Sequence, residues 1–272
     1  MQTVLALIVL GLLGLIAGQV AASRQFRARI LTLAGELRKA PPTRNIEAAL
    51  PPVVADFARR AGADPARPLR IASFNQHAEL RLRPGGAFTK IAAWQLISLG
   101  RPGFLWDARA AGVLPRFHVL DAYVAGAGQL EARALGSIPL ARETGAEIDL
   151  AEAFRYLAEL PWVPDAILGN PELSWRVIGA DAVEVRMKAA GGTARVRFRF
   201  DGEGDIVRMD AQGRPAKDIN GQSARFDWRG RYWDYREIGA RRIPARAEVG
   251  YVYPSGYEVY FRGEITGYHL SD

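Results

Sequence analysis

Cysteine is absent from all 272 residues. That excludes disulfides, thiolate nucleophiles, iron–sulfur clusters and cysteine-ligated zinc together. Histidine is scarce: His77, His118 and His269 lie far apart, and none falls in HxH, HxxxH or HExxH spacing. A histidine metal site would have to be assembled by the fold, and a structural or surface role is the simpler reading. No repeat of fixed period marks a solenoid or propeller. Ser98, Ser137 and Ser174 sit in no G-x-S-x-G elbow, which leaves serine hydrolysis unsupported. Gly126-Ala127-Gly128 and Gly202-Glu203-Gly204 lack the helix or lysine that a nucleotide loop needs. No motif therefore names a reaction, and no cofactor or metal is expected.

The chain is 49% apolar and 24% charged, enough for a sizeable core. Its net charge of +7 is unevenly placed. Residues 1–22 carry no ionisable side chain. Residues 23–44 hold six basic residues against Glu36, a net +5, which leaves +2 for the rest. A basic cluster beside an apolar segment fits anionic lipid headgroups rather than a nucleic-acid footprint, so no nucleic-acid partner is expected.

That apolar segment, Val4 to Ala22, contains one strongly polar residue, Gln19. Nineteen helical residues reach about 28 Å, close to the hydrocarbon thickness of a bilayer. A cleaved secretory signal is the alternative, with Val20-Ala21-Ala22 as an acceptable cleavage site. No basic residue precedes the run, whereas Arg24, Arg27 and Arg29 follow it, which favours a retained single-pass anchor in the cell membrane with a cytoplasmic main domain. From Ser23 to Ala40, Phe26, Ile30, Leu33 and Leu37 recur at helical spacing. This basic amphipathic helix either lies at the membrane interface or packs on the main domain. A second short helix is expected over 52–61. The predicted organisation is an anchor over 1–22, a helical connector over 23–64 and a β domain over 65–272.

From Leu69 onward the period is two. Candidate strands are 69–74, 77–83, 87–98, 103–110, 117–125, 128–135, 173–178, 182–189, 193–200, 205–211, 223–229, 232–238, 246–252 and 257–266. Short Gly- and Pro-rich links make neighbours antiparallel. The predicted fold is mainly β within an α+β class: a large curved antiparallel sheet, or half-barrel. One helix, Asp149 to Leu160, covers it. It opens with a D-x-x-E capping pattern (Asp149, Glu152) and stops at Pro161. Its apolar stripe (Leu150, Ala153, Phe154, Leu157) is expected to face the sheet. The polar stripe beside it (Glu152, Arg155, Tyr156, Glu159) includes an Arg155–Glu159 i,i+4 pair.

Four stretches carry a resemblance: Arg101-Pro102-Gly103-Phe104-Leu105-Trp106-Asp107-Ala108, Asp121 to Gly128 (DAYVAGAG), Arg155 to Trp162 (RYLAELPW), and Asp234-Tyr235-Arg236-Glu237 followed by Arg242-Ile243-Pro244. In this order they resemble an uncharacterised bacterial membrane-anchored family, over about residues 50–268. That family brings no function to transfer. The last stretch is also similar to the strand–turn–strand ending of periplasmic lipoprotein carriers, half-barrels that hold acyl chains. This likeness implies a periplasmic domain, so the side of the membrane stays open.

Two constellations follow from the residues. A hairpin centred on Leu114, turning over Gly112–Arg116, would set Asp107 opposite Asp121, with Arg109 adjacent and Arg155 brought in from the helix. Facing carboxylates share a proton, hold a cation, or are neutralised by arginines in a structural network. Glu152 and Glu159 are too far apart along their helix to make a dyad. Separately, Trp94, Phe104, Trp106, Tyr156, Trp162 and Trp175 are candidates to line a cavity for a lipid or other hydrophobic molecule, or else to fill an ordinary core. Arg195, Arg197 and Arg199, alternating with Val196, Phe198 and Phe200, read as a solvated face. The expected protein is a membrane-tethered, non-enzymatic β domain that binds a hydrophobic ligand. The alternatives are a hydrolase or other enzyme using Asp107 and Asp121, and an envelope protein-interaction module.

Overall fold

The computed structural model describes residues 2–110, 117–218 and 220–272, with side-chain surroundings from Leu10 onward. Helix α1, Gln2–Arg38, is continuous across the expected anchor and connector. Phe26, Ile30, Ala34 and Leu37 are buried against Ile71, Leu96, Leu105, Leu120 and Ala122. The amphipathic part thus packs on the main domain. Leu10, Leu12, Leu13, Leu15 and Ile16 are exposed. Among the described residues no helix is long and apolar enough to cross a membrane. Part of the expected anchor, residues 4–9, lies outside the residues whose surroundings are described. Helix α2, Pro52–Arg60, follows as expected, with proline in its first turn.

Thirteen strands follow: β1 Ile71–Leu80, β2 Thr89–Ser98, β3 Phe104–Ala110, β4 Phe117–Val124, β5 Ala127–Ala134, β6 Ile138–Thr144, β7 Ser174–Val177, β8 Ala182–Ala189, β9 Gly192–Phe200, β10 Ile206–Lys217, β11 Ser223–Ile238, β12 Arg241–Tyr253 and β13 Gly256–Ser271. They form one antiparallel sheet ordered β6-β5-β4-β3-β2-β1-β13-β12-β11-β10-β9-β8-β7. Two meanders meet where β1 pairs with β13. The expected strands 69–74 and 77–83 are one strand, as are 223–229 and 232–238. Strand β6 has no expected counterpart, because Ile138-Pro139-Leu140 shows no alternation and is exposed throughout.

The link from β6 to β7 carries helix α3, Ala146–Ala158, a 3-10 turn over Leu160–Trp162 and helix α4, Pro164–Gly169. Helix α3 touches β4, β5 and β6 on one arm and β8, β9 and β10 on the other. The sheet is therefore a half-barrel curled around α3. Inward residues alternate with outward ones as period two requires: in β9, Val196, Phe198 and Phe200 are buried and Arg195, Arg197 and Arg199 are exposed.

Candidate functional site

The predicted Asp107–Asp121 pair is not formed. In β3–β4, Phe104 faces Tyr123, Trp106 faces Asp121 and Asp107 faces Leu120, one residue away from the expected register. A slip of one sends a strand's alternate residues to the other face. The expected turn at 112–116 lies outside the described residues. Asp107 ends on the outer face, where its carboxylate meets His118 Nε2 and accepts from Arg109 Nη2 at 3.0 Å. Burial raises the Asp107 carboxyl, but the hydrogen bonds and charges of His118 and Arg109 outweigh it and hold the group below the usual aspartate range.

Asp121 turns inward and meets α3. Arg155 Nη1 donates to Asp121, and Arg155 Nε donates to Glu159 Oε1 at 2.8 Å. The expected i,i+4 pair is present. The guanidinium also lies 4.7 Å from the Phe104 ring centre and 4.9 Å from that of Trp106, a cation–π cradle. Gln95 Nε2 donates to Glu159, and Trp106 Nε1 donates to Gln76 Oε1 at 2.7 Å. From β10, Arg214 reaches beneath the helix and donates to Ala151 O at 3.2 Å and to Tyr251 Oη.

Asp121 does have a carboxyl neighbour, and it is Glu152. Glu152 is buried, because the polar stripe of α3 as well as the apolar one lies between the arms of the sheet. Burial pushes Glu152 well above the ordinary glutamate range, and the Asp121 charge adds to this, against Arg214 and Arg155. Burial and its carboxyl neighbour thus both favour the protonated form of Glu152. Burial also raises Glu159, with Arg155 and Gln95 opposing. Asp121 Oδ1, Glu152 Oε2 and Gln95 Oε1 are buried without a partner. Such a network beneath one helix is costly to desolvate.

Of the six cavity candidates, Phe104, Trp106, Tyr156 and Trp162 are buried on the concave side, and Trp175 packs partly buried at its margin, stacked on Phe198 at 6.3 Å. Trp94 is corrected to the outer face beside α1, with Arg38 at 6.0 Å from its ring. Its register with Asp107 places it there. Of the two readings of these aromatics, cavity lining or ordinary core, the structure shows the second: the concave side is filled. Tyr156 Oη donates to Ser98 O at 3.2 Å and accepts from Asn170 Nδ2 at 2.9 Å, and Trp162 Nε1 donates to Pro244 O at 3.0 Å. A separate furrow of about 530 Å³ crosses the outer face of β8–β11. Its Arg199 and Arg208 are paired with Asp181 and Asp210.

Sequence reasoning missed Glu152. Its only signals were the capping pattern with Asp149 and membership of the polar stripe with Arg155 and Glu159. Asp149 does not cap the helix: its Oδ1 accepts from Gly128 N–H at 2.6 Å, and α3 begins at Gly145 instead. The four signature stretches converge here, since Phe104, Trp106 and Asp121 surround Arg155 while Trp162 meets Pro244.

No curated protein matches the chain. Among solved structures, a LolA superfamily protein from Nitrosomonas europaea is similar with TM-score 0.41 and 10% identity, over 80% of this chain and 94% of that one. A domain from Vibrio parahaemolyticus described as an outer membrane lipoprotein-sorting protein has TM-score 0.47 and 7% identity, over 80% and 90%. A DUF1329 family protein from Desulfovibrio piger has TM-score 0.37 and 10% identity, over 84% and 93%. Residues 40–263 match the model of DUF6544, a family of unknown function, and the chain belongs to that family.

Proposed function

We propose that this chain is a membrane-tethered β domain that shelters a hydrophobic ligand, a lipid by class, on its concave face, with α3 occupying that face when no ligand is bound. One observation carries the reading. The element filling the half-barrel rests on a buried ionic network with three unpartnered oxygens rather than on apolar contacts alone. Removing one helix would bare the aromatic and aliphatic side chains of both arms, a surface suited to acyl chains. The tether is α1, whose exposed leucines continue the apolar run of the sequence.

The test is native mass spectrometry and solvent extraction of the full chain, repeated after incubation with a fatty acid. A bound acyl molecule is expected, with less retained by Glu152→Leu, which replaces the buried acid and favours the closed form. Failure of the wild-type chain to hold any acyl molecule would end this reading.

A second reading has its own observation, two buried carboxyls, Asp121 and Glu152, beside the Arg155 guanidinium. It replaces the enzyme expected from Asp107 and Asp121 with one using Asp121 and Glu152 for acid–base work. Equal turnover of a panel of esters by the wild-type chain and Asp121→Asn would remove it.

A further inference from the structure

Where α1 leaves the domain, the β5–β6 turn lies beside it. Ser137 Oγ donates to Gln19 Oε1, Arg133 Nη1 donates to Ala22 O at 3.4 Å, and Gly136 lies against the Ser23 hydroxyl. Beyond Gln19 the helix projects free, residues 10–18 being exposed along about 14 Å of axis. The turn at this level is apolar and open: Leu135 is 50% exposed, Ile138 44% and Leu140 61%.

These residues are poorly chosen for water. Ala134 O accepts from Ser137 N, which closes a two-residue hairpin turn over Leu135 and Gly136 with φ of 53° and 70°. Asparagine and glycine suit such positions, and a leucine there is strained as well as exposed. Ile138-Pro139-Leu140 then forms an apolar run on an edge strand, which soluble sheets avoid. Arg24 and Arg27 stand exposed on α1 just past the same level.

The junction is rigid. Phe26 packs edge-on to His118 at 4.8 Å with the Arg133 guanidinium at 4.5 Å, and Arg29 bonds Glu131 and Gln129. An apolar helix stiffly joined to an apolar turn, with arginines behind both, matches acyl chains below and anionic headgroups above. We propose that the β5–β6 turn is a second contact with an anionic lipid bilayer, seated in the headgroup region beside α1 and holding the half-barrel in one pose. This rests on the tether proposed above and adds a contact site to it.

Because the chain has no cysteine, single-cysteine labelling tests this on the full protein. Leu12→Cys, Leu135→Cys, Ile138→Cys and Val177→Cys carry an environment-sensitive fluorophore; Val177, 56% exposed, ends β7 at the opposite end of the strands and on the far edge of the sheet. The protein is reconstituted in vesicles of phosphatidylcholine and phosphatidylglycerol in equal parts, with spin-labelled lipid as quencher. Blue shift and loss of emission are expected at positions 12, 135 and 138, and neither at 177. Quenching at 12 with none at 135 and 138 overturns the second contact and leaves the tether standing. No quenching at 12 overturns the tether and the seating together. A blue shift at 135 and 138 without lipid quenching means that protein, a second copy included, covers the turn, and also overturns the proposal.

Discussion

Glu152 is neutral in the folded chain because burial and the Asp121 charge both oppose its ionisation. Below its ordinary value of 4.5 the folded and unfolded chains both hold the proton. Above it the unfolded chain releases a proton that the folded chain keeps, so stability falls by about 1.4 kcal/mol per pH unit until the folded group ionises. Glu159, also raised, adds to the fall. Urea unfolding between about pH 5 and about pH 8 should show a shallower decline for Glu152→Gln than for the wild-type chain. Parallel declines would place the proton elsewhere. Leu135 makes the opposite point at the surface. Its left-handed backbone costs about 1–2 kcal/mol, which no buried contact offsets at 50% exposure. Leu135→Asn should raise the melting temperature of the protein in detergent while weakening its lipid contact. A lower melting temperature would mean that the leucine is structural.

At the scale of elements, α3 is placed by the two arms of the sheet rather than by its own capping signal. A Cβ on Gly128 would lie 2.7 Å from Ile148 O, and one on Gly191 would lie 2.1 Å from Ala146 O. One glycine from β5 and one from the β8–β9 turn thus receive the first turn of the helix. Gly191→Ala must displace that turn and should cost about 1–3 kcal/mol. Faster hydrogen exchange over residues 146–158 should accompany it. Unchanged exchange there would show that the helix start carries no such clamp. These contacts also explain the misplaced helix start. Asp149 looked like a cap, yet the Gly128 N–H takes its carboxylate, and no local pattern encodes a partner from a strand about twenty residues earlier. Strand β6 was illegible for a related reason. Its exposed Ile138-Pro139-Leu140 run lacks the inward–outward alternation that marks a strand buried on one face.

The whole molecule is two meanders joined through β1 and β13, so every β1–β13 pairing links residues near opposite ends of the sheet-forming chain. Under the proposed function ligand entry acts at this scale, because α3 contacts both arms and its release would free both at once. Loaded protein should therefore show exchange rising in α3 while β1 and β13 stay protected, which the same mass spectrometry can follow. The fold class, the antiparallel pairing, the apolar stripe of Phe26 and Ile30, and most strand positions were legible in the chain. They follow from period two, period 3.6 and short turns, which are properties of neighbouring residues. Only tertiary structure decided that Asp107 and Asp121 face opposite ways, that Glu152 rather than Asp107 is the carboxyl neighbour of Asp121, and that α3 fills the half-barrel. A one-residue register and the burial of a polar stripe depend on what the rest of the sheet brings against them, and no local alternation of side chains carries that information.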